Sequence, residues 1–594
     1  MDKIVNDFSI RVATVNGTGS QSSNNILFKT LFRMGIGACG KNMFPSNIQG
    51  LPTWFQIRVS PEGYQALREN DDIAILMNAQ TAHQDIESMR AGTTILYNSD
   101  VIKFEDKDIK DGMFMYALPV ETLSRKISNP KLMRLLKNLF YVGAVAVLYG
   151  LDLETLEGVI RDTFKSKQKA IDANLEALHI GIDYAKENFE KKDSYWFEKA
   201  NCSENKIIME GNSAAALGAL YGGCTVLAWY PITPSSSLAE ALIAYAKKYR
   251  VDANGKMNFA DVQAEDELSS AGMVLGAGWA GARSMTTTSG PGISLMSEFI
   301  GLAYYAEIPS VFIDVQRVGP STGLPTRTQQ CDIMLCATAS HGDTKHILLL
   351  PSNIQECVDL AAESFNLAER FQTPVFVITD LDLGMNNWVA DDIQYKAPKY
   401  DRGKVLSKDD LDKNSDWGRY LDKDGDGICY RTLPGTNHPK AAYFTRGSGH
   451  DEYARYSESP HAYTRNVDRL NRKFQTARKA VPKPILRGEA SAKFGVIAYG
   501  TTDHAMQETL DRLQDKNVKY LRLLSYPFGQ EVHDFVKSCD RVVVVEQNRD
   551  AQMRQLLELD IRGQQDKMHS ILYYGGFSIS PDFIERELKE KFLN

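Results

Sequence analysis

Four short stretches carry residue types that do chemistry where a strand gives way to a helix. In WYPITPSSSLAEAL (229–242), Pro231 and Pro234 flank Thr233. Each proline restricts φ, and Pro234 also pushes Thr233 towards an extended backbone, so one hydroxyl is preorganised. A serine among 235–237 is expected to cap the next helix and leave amide donors for an anion; a rigid turn without a ligand would use the same residues. In QAEDELSSAGMVLGAGWAGA (263–282), helical spacing puts Glu267 on one face with Ala271, Val274 and Gly278, while Asp266 and Glu265 point elsewhere. A carboxylate beside small apolar residues is partly desolvated and gains proton affinity. Acids in a first turn also suit the helix dipole, which explains the acids but not the small-residue face. TTTSGPGISLMSE (286–298) brackets a proline with Gly290 and Gly292, which permits close backbone approach to a ligand. IDVQRVGPSTGLPTRTQQCD (313–332) ends a strand at Arg317 and enters a loop holding Arg327. Arginine is the natural bidentate partner of a carboxylate.

The elements that must position these residues are legible around them. Apolar, β-branched runs predict strands at 225–229, 257–263, 284–289, 310–316, 345–350 and 374–379, with helical patterns between them, 353–371 included. That alternation is a doubly wound α/β unit, whose ligands sit at the carboxyl ends of the strands. A second such unit opens the chain: FSIRVATV runs into Gly17 and Gly19 and then an amphipathic pattern, with strands at 73–79 and 93–98. The third glycine of the dinucleotide fingerprint is missing, so a plain tight turn competes with nucleotide binding. Ile171, Leu175, Leu178, Ile182, Ala185 and Phe189 form one helical stripe, and 190–205 reads as a linker. Residues 391–490 are polar and aperiodic, a functional excursion or a flexible arm. Alternation returns with strands at 494–500, 518–524 and 541–547 and helices at 503–513 and 530–538.

The 594 residues predict three to five domains, and 43% hydrophobic with 24% charged residues are ordinary for a globular chain. The net charge of −7, without a long basic run, argues against a nucleic-acid scaffold. The N-terminal stretch lacks a signal-peptide pattern and the apolar run 139–150 is too short to span a bilayer, so the cytoplasm is the expected compartment. None of the eight cysteines forms a C-x-x-C pair, so a zinc or iron–sulfur site ligated by this chain alone is not expected.

Together YPITPSS, QAEDELSSAG, TTTSGPG and QRVGPSTGLPTRTQQ closely resemble the α subunit of the 2-oxoacid:ferredoxin oxidoreductases. The first segment resembles that family's γ subunit, fused in front as in the 2-oxoglutarate members, and the resemblance covers nearly the whole chain. It implies an α/β fold of three doubly wound, Rossmann-like or thiamine diphosphate-binding-type units with an irregular polar insertion. These would be a γ-type domain (1–195), a pyrimidine-binding-type domain (206–390), the insertion (391–490) and a transketolase-C-like domain (491–594). The implied reaction is coenzyme A-dependent oxidative decarboxylation of 2-oxoglutarate to succinyl-CoA and CO2, with electrons passing singly through iron–sulfur clusters to ferredoxin. Pyruvate or branched-chain 2-oxoacids are the alternative substrates; a non-catalytic scaffold subunit and a stand-alone transketolase-like enzyme are the rival readings.

The same resemblance implies roles for residues. Glu267, with Glu265 as fallback, would bond the cofactor's aminopyrimidine N1′; Pro231, Ile232, Gly290 and Gly292 would line the cofactor. Thr233 and Arg317 would bind the substrate's 1-carboxylate and carbonyl, and Arg327 the distal carboxylate. Residues 40–60 are expected to supply part of the coenzyme A contacts, and 438–458 resembles a lid-like insertion. A separate β subunit is implied to bring the diphosphate site with Mg2+ and a [4Fe-4S] cluster, in an α2β2 assembly. The triplet Gly425-Asp426-Gly427 is a decoy for the diphosphate motif, because no Asn-Asn pair follows it. Asp422, Asp424, Asp426 and Gly427 match positions 1, 3, 5 and 6 of a calcium loop, but Leu433 stands at position 12. A bound cation and an Asx-rich turn both remain open there.

Overall fold

The computed structural model describes residues 3–45, 51–397, 399–413, 416–514 and 517–593. Its central sheet has seven strands, in the order Ala260–Gln263, Val226–Trp229, Ser284–Thr288, Ser310–Gln316, Pro374–Asp380, Ile347–Leu349 and Ser525–Tyr526. All neighbours are parallel except the last pair. Helices cover both faces, so Ser310–Gln316 and Pro374–Asp380 are buried at every residue. From Val226–Trp229 the chain adds Ala260–Gln263 on one side, then crosses through the helix Glu267–Trp279 to Ser284–Thr288 on the other. Such a reversal opens a crevice at the carboxyl ends of the strands.

The first unit holds eight strands, ordered Phe114–Leu118, Thr94–Asn98, Ile73–Leu76, Phe8–Val15, Pro52–Val59, Ala38–Met43, Asn387–Asp391 and Lys206–Glu210. The first four are parallel and the rest antiparallel. The last two come from beyond residue 195, so the sheet crosses the boundary drawn from sequence. Nor is 190–205 a free linker: Tyr195–Trp196 pairs with Ile4–Val5, and Phe197 packs on Phe8 and Tyr149 in the core. Gly17 and Gly19 adopt φ of 80° and 79° before the helix Ser20–Arg33. A methyl on Gly19 would lie 2.4 Å from the Leu135 carbonyl oxygen, so the approach it permits is to the chain's own backbone. The striped helix is Gln168–Asn188, with Ile171, Leu178, Ile182 and Ala185 buried. It packs on Leu139–Tyr149, which is itself buried almost throughout. Among the described residues no single helix is long and apolar enough to cross a membrane.

The C-terminal unit is a five-stranded sheet, ordered Ile485–Arg487, Val518–Leu523, Phe494–Tyr499, Arg541–Glu546 and Met568–Leu572, parallel except at its first pair. It also lends Ser525–Tyr526 to the central sheet. Within 391–490 two helices stand out, Lys408–Lys413 and Pro460–Ala477. The second buries a partly charged face, with Asn466, Arg469 and Lys473 beside Leu470, Phe474 and Ala477. Arg469 and Lys473 close on the buried Glu307 at 2.6 and 2.8 Å. Burial opposes ionisation of Glu307, but Arg469, Lys473 and Arg419 outweigh it and hold the carboxyl well below the usual range. A second buried acid, Glu369, meets Arg283, Arg402 and Arg431 at 2.8, 3.0 and 3.3 Å. Ion pairs thus pin the polar segment where apolar contacts are scarce.

The calcium-like loop resolves into an Asx-rich turn closed by a lysine. Lys404 Nζ lies 2.6 Å from Asp424 and 2.9 Å from Asp426. Asp422 accepts the Gly425 and Gly427 amides and meets Arg472 at 3.2 Å. An ammonium stands where the loop motif would place a cation. Among the described residues no group of three or more His, Cys, Asp and Glu converges for a metal.

Replacing Glu307 by Gln would leave Arg469 and Lys473 buried around a neutral amide. The expected cost is about 3–5 kcal/mol, read as a lower denaturation midpoint with the far-UV spectrum retained before the transition.

Candidate active site

Four adjacent strands of the central sheet end side by side, and each leads into one of the four stretches singled out above. After Val226–Trp229, Asn212 Nδ2 donates to the Pro234 carbonyl and to Ser237 Oγ, both at 2.8 Å. The Ile232 amide donates to Ser236 Oγ at 2.9 Å, and Ser235 Oγ donates back to the Ile232 carbonyl at 3.2 Å. This corrects the expected serine cap: the serines fasten the turn to itself, and Ser235 makes no side-chain bond to the helix Ser236–Tyr249. The Thr233–Pro234 peptide is cis. Ile232 and Thr233 are half-buried and Pro231 is exposed. The Thr233 hydroxyl has no hydrogen-bond partner among the described residues.

Glu267 opens the helix Glu267–Trp279, but Asp266 does the capping, accepting the Ser269 amide at 2.7 Å. Glu265 and Asp266 are exposed; Glu267 turns inward and is 8% exposed. Its side chain reaches there because position 292 is glycine. A methyl on Gly292 would lie 2.9 Å from Glu267 Cγ and 1.9 Å from Thr288 Oγ1. One on Gly290 would lie 2.6 Å from both carboxylate oxygens of Asp332. These glycines therefore admit acidic side chains to the strand ends. Further along the helix, Gly278 is small for a different reason: it meets the Pro309 carbonyl, at 2.1 Å from where a Cβ would be.

Arg317 is buried, and its Nη1 donates to the Thr233 carbonyl at 2.6 Å. Its Nε is buried without a partner among the described residues, so the guanidinium keeps unpaired donors beside the cavity that it lines. Burial pulls its proton affinity down, while the charges of Asp332 and Glu267 oppose that. Ser289 Oγ, Asp314 Oδ1 and Gln329 Oε1 are likewise buried and unpartnered. Of these residues Arg317 and Gln329 line one cavity.

Asp314 and Asp332 were not singled out from sequence. Burial, followed by the charge of Asp332, pushes Asp314 well above the carboxylate range. Burial also lifts Asp332, to about 7, against the Cys331 thiol and Arg317. The available signal was an aspartate inside an otherwise apolar strand. Arg327 needs a correction, because it does not join Arg317. The loop turns back at Gly323 and closes on Val318, whose amide donates to the Arg327 carbonyl at 3.1 Å. Arg327 Nη1 then donates to the carbonyl of Phe44 in the first unit at 3.0 Å, and its guanidinium lies over Phe577. It lines a cavity of about 520 Å3 with Lys41 and Trp54, whereas Arg317 lines another of about 930 Å3 with Asp332, Gln329, Arg549 and Tyr574.

Residues 9–184 match the family model of pyruvate ferredoxin/flavodoxin oxidoreductase, and residues 217–400 that of the thiamine diphosphate-binding region of pyruvate flavodoxin/ferredoxin oxidoreductase. Subunit alpha of 2-oxoacid:ferredoxin oxidoreductase 2 from Aeropyrum pernix is 31% identical, over 93% of this chain and 92% of its own length. The chain belongs to the 2-oxoacid:ferredoxin oxidoreductase α-subunit family. Within the family, 2-oxoglutarate synthase subunit KorA of Methanocaldococcus jannaschii is 35% identical over 57% of this chain and 88% of its own. The solved 2-oxoglutarate:ferredoxin oxidoreductase of Magnetococcus marinus, with 2-oxoglutarate, coenzyme A and succinyl-CoA bound, superposes with a TM-score of 0.87 at 29% identity. That match covers 98% of this chain and 99% of the other. The protein is thus an oxidoreductase subunit of this class, and its fold is that of a solved member of the family.

Gly292→Ala should overfill the contact between Thr288 and Glu267. Displacing Glu267 by a fraction of an ångström to an ångström is expected to lower turnover of the assembled enzyme about 10²-fold. The cost in stability should be no more than about 1–3 kcal/mol, measured by thermal unfolding.

Proposed function

We propose that this chain is the catalytic α-type subunit of a 2-oxoglutarate:ferredoxin oxidoreductase and contributes half of an active site completed by a β subunit. The observation that carries this reading is the Arg317 guanidinium, bonded to the Thr233 carbonyl with donors still unpaired, together with the unpartnered Glu267 carboxyl, which follows the strand next to that of Thr233. A guanidinium edge and a threonine hydroxyl suit the 1-carboxylate and carbonyl of a 2-oxoacid. Glu267, buried and without a hydrogen bond among the described residues, fits the aminopyrimidine N1′ of thiamine diphosphate. Gly290 and Gly292 keep the crevice clear, and Pro231 and Ile232 edge it. Thiamine diphosphate supplies the nucleophilic carbon and the electron sink for decarboxylation.

The diphosphate with its Mg2+, the [4Fe-4S] cluster and the contact with ferredoxin are assigned to the β subunit, since the only Gly-Asp-Gly triplet here is tied down by Lys404. An uncovered sheet edge supports such a partner. Ala260–Gln263 is exposed at every residue, and Val262, Leu268 and Met273 present apolar surface next to Glu267. We take αβ units to pair into an α2β2 assembly. The substrate is read as 2-oxoglutarate from the KorA relatives and the M. marinus enzyme. Its distal carboxylate passes from Arg327 to Arg549, which faces the Arg317 cavity. For coenzyme A, the cavity of about 520 Å3 keeps part of the expected segment, with Lys41, Asn42, Met43, Trp54 and Gln56 on its wall. Residues 46–50 of that segment lie outside the described residues.

Co-expression with a β subunit should give coenzyme A-dependent viologen reduction that favours 2-oxoglutarate over pyruvate and is absent from either subunit alone. Equal rates would sink the substrate assignment and leave the class. Glu267→Ala is expected to cut turnover about 10²-fold or more in an intact complex. Wild-type turnover in that variant would support the scaffold reading instead.

A further inference from the structure

The C-terminal sheet has a reversal of strand order of its own. From Phe494–Tyr499 the chain adds Val518–Leu523 on one side and then Arg541–Glu546 on the other. The carboxyl ends of Phe494–Tyr499 and Arg541–Glu546 therefore flank a crevice of the kind in which α/β sheets hold ligands. Here the chain's own Gln330, the last residue of QRVGPSTGLPTRTQQ, enters it and is 1% exposed. Its Nε2 donates to the Tyr499 carbonyl at 3.1 Å, and its Oε1 accepts the Thr502 hydroxyl and the Gln547 amide, each at 3.1 Å. The Gln330 amide donates to the Gln547 carbonyl at 2.8 Å, and the Gln330 carbonyl accepts Asn548 Nδ2 at 2.9 Å. Gly500 leaves room for this side chain, since a methyl there would lie 2.9 Å from Gln330 Nε2.

The next two residues join that grip to the substrate side. Gln552 Nε2 donates to the Cys331 carbonyl at 2.7 Å, and the Cys331 thiol donates to the Arg317 carbonyl at 3.2 Å. The Asp332 amide donates to Gln316 Oε1 at 2.9 Å. Residues 330–332 thus form a strut, bonded on one side to the C-terminal unit and on the other to the strand end that carries Arg317. Hydrogen-bonded side-chain networks rigidify the elements they join.

We propose that Gln330 is a positioning residue for the 2-oxoacid: seated in the C-terminal crevice, it fixes the backbone at Arg317 so that the guanidinium meets the substrate's carboxylate in one place. The inference rests on the reading of Arg317 as the carboxylate anchor. A displacement of about 1 Å in such a contact can cost about 10²-fold. Losing the Gln330 side chain loosens the strut, so binding of the 2-oxoacid suffers through Arg317.

The experiment is kcat and KM for 2-oxoglutarate in the assembled α–β complex, for the parent, Gln330→Ala, Arg317→Ala and the double variant. Gln330→Ala should raise KM about 5- to 10-fold with a smaller change in kcat. A role in stability alone would lower the denaturation midpoint or the amount of active complex and leave KM where it was; that result overturns the proposal. Arg317→Ala should raise KM about tenfold or more, and adding Gln330→Ala to it should raise KM no further. A second, multiplicative rise in the double variant overturns the route through Arg317. If Gln330→Ala does not assemble, Gln552→Ala carries the test, because Gln552 is half-buried and its loss frees the Cys331 carbonyl. KM must rise several-fold there too, and an unchanged KM overturns the idea equally. Arg317→Ala also separates the two layers. An unchanged KM in that variant removes the anchor reading and the inference together, whereas a raised KM there beside an unchanged KM in Gln330→Ala removes the inference alone.

Discussion

Parallel pairing of adjacent strands is the constraint on which the site depends. Val226–Trp229 is hydrogen-bonded in register to Ala260–Gln263 on one side and Ser284–Thr288 on the other, and Ser284–Thr288 in turn to Ser310–Gln316. Parallel strands of one sheet all end at the same edge, so four turns distant in sequence are delivered to one crevice. The backbone there is crowded. Gly290 and Gly292 are the positions where a Cβ would collide with the acidic side chains the crevice needs.

The molecule treats buried charge in two ways. Around Glu307 and Glu369 every acid meets several cations, and these clusters fasten the polar segment to the central unit. At the strand ends a guanidinium nitrogen, a serine hydroxyl, an aspartate oxygen and a glutamine oxygen are also buried without a partner among the described residues. Each unsatisfied buried polar group costs about 1–3 kcal/mol. The acids beneath the insertion are each met by cations at short range, whereas Glu267 at the crevice makes no ion pair among the described residues.

The contacts between units serve the same end. Arg58 of the first unit and Glu508 of the C-terminal unit form a buried two-point pair, with Nη2 to Oε1 at 2.8 Å. Lys41 reaches Asp382 of the central unit at 2.6 Å. Lys41 and Asp382 lie on the wall of the cavity that Arg327 lines, while the edge strand Ala260–Gln263 beside Glu267 is exposed.

Much of this was local and therefore readable. Strand ends, the proline-fixed turn at Thr233, the inward face of Glu267 and the glycines of TTTSGPG follow from period, side-chain size and φ restriction within a dozen residues, and the family motifs are contiguous. Direction after a long loop is not local. Arg327 lies ten positions from Arg317, yet the turn at Gly323 sends it to a different cavity, and Asp332 returns to Arg317 only through the Gln316 bond. Lys404 enters the aspartate loop from eighteen residues before Asp422. The helix Pro460–Ala477 has apolar spacing at Ala462, Leu470, Phe474 and Ala477, but its buried Arg469 and Lys473 are answered only by Glu307, more than 150 residues away. Sequence alone determined the elements and most of the residues at their ends. Only the tertiary structure decided which charges share a cavity and which are already paired, because electrostatic partners are chosen by distance in space.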